Sequence, residues 1–116
     1  MKIRIKNRWF NKPKILKTPE ERQMGYQYLD EEDIDESNNC LFFVFDKEEP
    51  NRKFHMRNCD SFDIQLYALN KKRKLVQAFP MARSSDDVYE IQEPCMYIVE
   101  VPLFFLSSDE QEEDLT

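Results

Sequence analysis

The sequence predicts a mostly β (α+β) fold: a small, barrel-like and strongly bent antiparallel or mixed sheet with one short helix near residues 19–25. Short apolar or alternating segments recur along the chain, which is the pattern of β-strands, whereas helix-start signals occur once. Aromatic residues make up 13% of the 116 residues, enough to fill a small core. A chain of this length fits one domain, which we place at residues 1–106, followed by an acidic, flexible tail over residues 107–116.

The first strands and the helix follow from local patterns near the N-terminus. Residues 2–6 alternate between basic and apolar side chains and predict a strand, and residues 7–17 predict a loop and a second strand. Thr18 is suited to cap a helix, because Glu21 three residues later can complete a capping box. Gly25 is suited to end that helix.

The middle of the chain alternates between charged and apolar segments. Residues 29–39 predict a solvated loop, and a calcium loop is disfavoured because no glycine occupies its turn position. Residues 41–45 are wholly apolar and predict a strand buried on both faces, followed by a charged turn over residues 46–52. Alternation over residues 53–57 and 62–69 predicts two further strands.

The last third of the domain begins with a predicted hairpin. Its turn is placed at residues 70–72, where Asn70 tolerates a left-handed backbone. A partner strand over residues 73–79 follows, and then a loop over residues 80–87. The remaining predictions are a strand at residues 96–101 and an apolar edge strand at residues 103–106.

Composition argues against several functional classes. The net charge of −6, from 23 acidic and 17 basic residues, argues against generic nucleic-acid binding. A single glycine excludes the glycine-rich phosphate loops of nucleotide-binding proteins. A single histidine, His55, excludes a zinc site built on several imidazoles in one chain. We therefore predict no metal and no cofactor.

Cysteine usage and hydropathy bear on the cellular compartment. Cys40, Cys59 and Cys95 are widely spaced and form no Cys-x-x-Cys pair, which predicts reduced thiols rather than a disulfide scaffold. No apolar run is long enough for a signal peptide or a transmembrane segment. We expect a cytoplasmic protein, in the host cytoplasm if it is viral, with no membrane association.

Four segments together resemble the domain-of-unknown-function 192 family of small proteins. Residues 18–25 (TPEERQMG) are similar to that family's T-x-x-E-R-x-x-G-L-M, and residues 41–45 (LFFVF) to its G-M-L-F-V-F. Residues 54–64 carry FHMRNC and then FDI, similar to F-W-M-K-N-T followed by P-L-D-I. Residues 97–101 (YIVEV) are similar to Y-V-L-E-V. The four segments occur in the family's order and span most of the chain.

The resemblance implies a compact, mostly β, barrel-like fold with one short helix, and no particular chemistry, since the family has no agreed activity. The chain departs from the family pattern in several places. His55 replaces the tryptophan, Cys59 replaces the threonine, and the proline before Asp63 is missing. The scarcity of glycine and the asparagine and lysine content are typical of a viral or marine-phage member.

Two sets of polar residues are candidates for a ligand site. Arg57, Asn58 and Asp63 can line a cleft at the barrel mouth. Alternatively, Asn58 and Asp63 brace the irregular loop between them by hydrogen bonds to its backbone. Arg22 can form an internal ion pair with Glu100 or Asp63, or bind an anionic ligand. The structural alternative is favoured in both cases.

His55 and the cysteines are weaker candidates for catalysis. His55 can act as a general base near neutral pH, but no nucleophile pattern surrounds it, so a surface histidine is favoured. Cys59 or Cys95 would be an activated nucleophile only if the fold brought His55 beside it. A buried, unreactive cysteine is the simpler interpretation.

Charge is unevenly distributed along the chain. Basic residues gather in the first 17 positions and acidic ones in the tail, which would recruit a partner or let the two ends neutralise each other. We predict a non-enzymatic accessory or binding module, with a protein partner or a second copy of itself. The alternative is a small-ligand-binding protein or enzyme that uses a cleft around Arg57, Asn58 and Asp63.

Overall fold

The computed structural model describes residues 2–6, 8–34 and 40–106. The predicted mostly β fold is confirmed in this part of the chain. The strands are β1 (Ile3–Ile5), β2 (Arg8–Phe10), β3 (Lys14–Leu16), β4 (Leu41–Glu49), β5 (Arg52–Phe54), β6 (Ile64–Leu69), β7 (Leu75–Met81), β8 (Tyr89–Ile91) and β9 (Cys95–Pro102). Helix α1 covers Pro19–Met24, and single 3₁₀ turns cover Glu31–Asp33 and Leu103–Phe105.

A five-stranded mixed sheet in the order β3-β4-β9-β6-β7 organises the fold. Strands β3 and β4 are parallel, and the other pairs are antiparallel. Two small antiparallel pairs, β1–β2 and β5–β8, accompany it. Because β3 and β7 each have one neighbour among the described strands, this sheet is barrel-like but open, not a closed barrel.

Strand β9 lies at the centre of the sheet, and its alternate side chains enter two cores. The helix-side core includes Tyr26, Phe43, Met56, Leu66 and Ile98. The hairpin-side core lies under the β1–β2 hairpin and includes Phe10, Phe42, Tyr67, Val99 and Val101. Both faces of the sheet are therefore covered, which explains why all six residues of β6 are buried although their sequence alternates.

Helix α1 has the predicted ends. The Thr18 hydroxyl accepts a hydrogen bond from the Glu21 N–H at 3.1 Å, and the Glu21 carboxylate accepts one from the Thr18 N–H at 3.0 Å. Gly25 follows the helix with φ +46°, where its N–H donates to the Glu21 carbonyl. No residue of the helix itself is buried. Tyr26, immediately after it, therefore supplies the buried contact of this segment.

Two predicted segments around β4 and β9 were wrong. The charged turn expected at residues 46–52 is largely strand, because β4 runs on to Glu49, which pairs with Cys95 after a bulge. The edge strand expected at residues 103–106 is a 3₁₀ turn that follows Pro102. In both places the residue types did not indicate the backbone conformation: the charged segment is mostly strand, and the apolar segment is a 3₁₀ turn.

The second half also differs in its turns. Strand β8 was not predicted; it pairs with β5 in an antiparallel manner over three residues. In the β6–β7 turn the left-handed residue is Arg73, with φ +61°. Asn70 contributes through its side chain instead, whose oxygen accepts from the N–H groups of Lys72 and Lys74.

Other predictions fall on parts of the chain that are not described. The acidic tail at residues 107–116 and residues 35–39 of the acidic loop lie outside the described residues. Among the helices that are described, none has the length and apolar character needed to cross a lipid bilayer.

Candidate functional site

A cavity of about 330 Å³ opens between the end of helix α1, strand β5 and the helix-side face of the sheet. Its buried lining consists of Tyr26, Phe43, Met56, Cys59, Ile64 and Glu100. Its partly exposed rim includes Arg22, Phe45, Arg52, Phe54 and His55. The volume lies at the lower end of the range for small-molecule pockets.

Glu100 is the principal polar group of the buried lining. It lies in the middle of β9, between Leu41 of β4 and Leu66 of β6, and is only 5% exposed. No described residue forms a hydrogen bond or an ion pair with its carboxyl group. Burial raises the pKa of Glu100 to about 8. The carboxyl group is therefore largely protonated at neutral pH, and it can both donate and accept a hydrogen bond.

Tyr26 lies beside Glu100 without satisfying its carboxyl group. The Tyr26 hydroxyl donates a hydrogen bond to the Glu100 backbone carbonyl at 3.3 Å. The Tyr26 ring packs edge-on against Phe62. Burial, and then the charge of Glu100, raise the pKa of Tyr26 well above its ordinary value. Tyr26 is thus a neutral wall of the cavity that is fixed to the central strand.

The cysteines do not have the properties of activated nucleophiles. Burial is the main cause that raises the pKa of Cys59 to about 12, and the charges of Glu100 and Asp60 add to it. Burial also raises the pKa of Cys95, although Arg52 acts in the opposite direction. Both thiols are therefore protonated at neutral pH, which argues against the nucleophile hypothesis.

Two arginines lie over the half-buried ring of Phe45 at the rim. The Arg22 guanidinium carbon lies 4.7 Å from the ring centre and that of Arg52 lies 3.7 Å from it. Arg22 Nη1 donates to the backbone carbonyls of Lys17 and Val44, the latter at 2.9 Å. Backbone oxygens thus hold Arg22 in place, and it forms neither of the ion pairs considered with Glu100 or Asp63.

Arg52 is held in the same way. Its Nε donates to the Cys95 carbonyl at 3.3 Å and its Nη2 to the Lys47 carbonyl at 2.6 Å. Within residues 2–6, 8–34 and 40–106, no carboxylate forms an ion pair with Arg22 or Arg52. Both charges are therefore held at the rim with no ion-pair partner among the described residues.

The predicted cleft around Arg57, Asn58 and Asp63 is not formed, because none of the three lines the cavity. Asp63 Oδ1 accepts from the Arg83 N–H at 2.9 Å and from Arg83 Nε at 3.0 Å. Burial raises the pKa of Asp63, but these bonds and the Arg83 charge outweigh it, so the net pKa is lowered. Asp63 therefore braces the segment before β6, as in the structural alternative.

Asn58 and its neighbours also brace a loop. Asn58 has φ +63°, its carbonyl accepts from the Tyr28 N–H at 2.7 Å, and its side-chain nitrogen donates to Gln27 at 3.1 Å. Arg57 is exposed, and its N–H donates to His55 Nδ1 at 3.2 Å. His55 is exposed as predicted, but it also forms part of the cavity rim.

Three of the six candidate ligand residues, Arg22, His55 and Glu100, thus meet at one cavity. Sequence reasoning missed Tyr26, Phe43 and Arg52, because they come from separate elements that only the fold brings together. One signal was present: Glu100 is an acidic residue inside the otherwise apolar segment at residues 97–101.

A second, shallow depression is lined by Asp30, Glu31, Glu32, Ser61 and Arg83. The Ser61 hydroxyl donates to Asp30, and Arg83 is engaged with Asp63. Within the described ranges, no three potential metal ligands cluster together. The depression is therefore an exposed, internally bonded surface.

The fold and the cavity define a small, open β-sheet protein with a helix-capped pocket. No protein-family model matches the chain, and no curated protein matches it either. Two crystal structures are similar in fold. One, from Sinorhizobium meliloti 1021, is described as a "putative transcription regulator"; it has 16% sequence identity and a TM-score of 0.66. The match covers 76% of this chain and 65% of that one.

The second similar structure is a protein of unknown function from Novosphingobium aromaticivorans DSM 12444. It has 12% sequence identity and a TM-score of 0.66, and the match covers 88% of this chain and 72% of that one. At these identities the likeness shows the fold alone. The chain spans somewhat less than two thirds of the length of the Sinorhizobium protein.

Proposed function

We propose that this protein is a non-enzymatic binding module that holds a small organic molecule in the cavity over Glu100. The observation that carries the proposal is the Glu100 carboxyl group, which is 5% exposed, lines the cavity and has no partner among the described residues. Buried polar groups in folded proteins are nearly always hydrogen-bonded, so an unpaired one requires a reason.

The free-energy cost of burying the unpaired Glu100 carboxyl group supports a role in ligand binding. A buried polar group without a hydrogen bond costs about 1–3 kcal/mol of stability. A leucine at this position would avoid that cost, since Glu100 lies between Leu41 and Leu66 in the sheet. A ligand that hydrogen-bonds to the carboxyl group would recover the lost energy as affinity. The apolar walls formed by Phe43, Met56 and Ile64 would bind the ligand's body.

A binding role has more support than an enzymatic one. The Cys59 thiol in the cavity is protonated, because its pKa is raised to about 12. His55 Nδ1 accepts a hydrogen bond from the Arg57 N–H, and His55 is exposed at the rim. The alternative cleft of Arg57, Asn58 and Asp63 has less support, because those residues brace loops outside the cavity.

The proposal is tested by NMR with defined small probes. Benzamide and phenol, two neutral hydrogen-bond donors, are titrated into ¹⁵N-labelled protein. We expect saturable shifts confined to backbone amides around the cavity. Glu100→Leu should abolish these shifts and leave the protein folded, because it replaces an unpaired carboxyl group by an apolar side chain.

Asp63→Asn is the matched control, since it neutralises a carboxylate outside the cavity. This variant should bind the probes as the wild type does. Probe binding that survives Glu100→Leu unchanged, or shifts that fail to saturate with every probe, would refute a binding site over Glu100.

A further inference from the structure

We infer that the ligand is an organic oxyanion, whose carboxylate or phosphate group is bound at the rim by Arg22 and Arg52, which both lie over the ring of Phe45. This inference rests on the proposed function and adds to it the chemical class of the molecule. It depends on an observation separate from Glu100, namely two arginines that are held in place at the cavity mouth and have no carboxylate partner among the described residues.

Both arginines keep N–H donors beyond those that bind the backbone. A guanidinium group carries five N–H donors. Arg22 uses Nη1 for two backbone carbonyls, and Arg52 uses Nε and Nη2 for two others. The remaining N–H groups of both side chains have no partner among the described residues. Each arginine can therefore still present a donor pair to an oxyanion.

Both guanidinium groups are held in place before any anion binds. Free arginine side chains lose rotamer entropy when they bind an anion. Here the backbone carbonyls and the ring of Phe45 already hold both guanidinium groups, which lie 4.7 and 3.7 Å from the ring centre. Most of that ordering cost is met by the fold, so anion binding at the rim is favoured.

The charged side chains around the cavity are mostly basic. Among the described residues that line the cavity, Arg22, Arg52 and Lys53 are cationic and only Glu100 is acidic. Glu100 is buried at the inner end, away from the exposed rim. The lining is therefore basic on balance, whereas the whole chain has a net charge of −6. Such a patch attracts small anions selectively.

The two ends of the cavity together define the ligand. Its oxyanion would lie at the arginines, its apolar body against Phe43 and Phe54, and a hydroxyl or amide group at Glu100. The Phe43 and Phe54 rings meet edge to face with centres 5.8 Å apart, which gives an aromatic wall suited to a planar body. A hydroxylated aromatic carboxylate or phosphate has these features.

The test uses four probes measured by NMR titration at low salt. 4-Hydroxyphenylacetate carries the anion and the hydroxyl, and 4-hydroxybenzyl alcohol carries the hydroxyl without the anion. Phenyl phosphate and phenylacetate distinguish phosphate from carboxylate as the preferred oxyanion. We expect 4-hydroxyphenylacetate to bind at least ten times more tightly than the neutral alcohol. Its affinity should fall as NaCl is raised, while that of the alcohol should not.

Arginine variants locate the anion site. Arg22→Gln and Arg52→Gln should each lower the affinity for 4-hydroxyphenylacetate about tenfold or more. The affinity for the neutral alcohol should stay within about twofold of wild type. Arg73→Gln is the matched control, because Arg73 also lies over aromatic rings, those of Phe42 and Tyr97, but outside the cavity. It should change neither affinity. Should a glutamine variant fail to fold, Arg22→Lys and Arg52→Lys keep the charge and should still weaken the anion by loss of the planar donor pair.

The outcomes separate this inference from the proposed function. The oxyanion assignment is wrong if the neutral alcohol binds as tightly as the anion, or if the arginine variants leave the anion's affinity unchanged. Neither result contradicts the proposal that the cavity over Glu100 binds a small molecule. If none of the four probes shifts the cavity amides while benzamide does, the oxyanion assignment alone is wrong; if benzamide fails as well, both are wrong. Equal, salt-independent binding of all four probes would also overturn the assignment.

Discussion

The Tyr26 hydroxyl donates a hydrogen bond to the Glu100 backbone carbonyl at 3.3 Å, which ties the segment after helix α1 to the central strand of the sheet. The same contact leaves the Glu100 carboxyl group free to face the cavity. One residue of β9 therefore has two roles: the Glu100 backbone carbonyl binds Tyr26, and the Glu100 side chain lines the cavity.

Tyr26→Phe tests the anchor. The variant removes one hydrogen bond and keeps the ring, including its edge contact with Phe62. We expect a loss of about 1 kcal/mol in the free energy of unfolding, measured by urea denaturation. Tyr28→Phe is the control, since Tyr28 is exposed, and it should stay within about 0.5 kcal/mol of wild type. Equal stabilities for wild type and Tyr26→Phe would contradict the role of this bond.

Gly25 should not tolerate a side chain. Its φ of +46° and ψ of −124° lie in a region that L-residues rarely adopt, although an added Cβ would meet its nearest neighbours at 3.8 Å. The penalty is therefore backbone strain and not a clash. Gly25→Val should cost about 1–3 kcal/mol, read as a lower melting temperature. An unchanged melting temperature would show that the backbone relaxes freely here.

The capping box makes a separate contribution. Thr18→Ala removes the hydroxyl that accepts from the Glu21 N–H and should cost about 1 kcal/mol of unfolding free energy. Thr18→Ser keeps the hydroxyl and should remain close to wild type. If serine and alanine destabilise the protein equally, the hydroxyl is not what stabilises this helix end.

The free energy of unfolding should decrease as pH rises, because of Glu100. Burial raises its pKa in the folded state from 4.5 to about 8, so the folded protein binds more protons than the unfolded chain between those values. The contribution of the Glu100 proton to the free energy of unfolding is fully present below pH 4.5 and is lost as pH rises through 8. Tyr26 and Cys59, its titratable neighbours, have raised pKa values and do not titrate in this window.

Glu100→Gln provides the comparison, since it is neutral at every pH. The stability of this variant relative to wild type should increase from pH 5 to pH 8, by at most on the order of 4 kcal/mol. Chemical denaturation at several pH values measures this difference. A constant difference between the two proteins across that range would mean that Glu100 does not titrate as burial requires.

Local features of the fold were predictable from sequence, because they depend on neighbouring residues. The capping box joins Thr18 and Glu21, three positions apart, and the strand over residues 41–45 is one continuous apolar run. The extension of β4 to Glu49 was not predictable, because it depends on pairing with Cys95 across the sheet.

The candidate site was predictable only in part, for the same reason. Glu100 and Arg22 stand out as residue types, but their partners are set by the fold. Arg22 binds the carbonyls of Lys17 and Val44, which no spacing rule indicates, and so the expected ion pair with Glu100 does not form. An ion pair with Glu100 would require two charged groups to be removed from water, whereas a hydrogen bond to a backbone carbonyl requires this of the arginine alone. The carbonyls can therefore compete with the carboxylate for Arg22.

The most direct measurement is a pH titration of the Glu100 carboxyl carbon by ¹³C NMR, assigned with Glu100→Gln. A buried carboxyl group with no partner should titrate with a midpoint of about 8 in the free protein. A midpoint near the ordinary value of 4.5 would contradict the account, because it would mean that solvent or a cationic partner reaches the group.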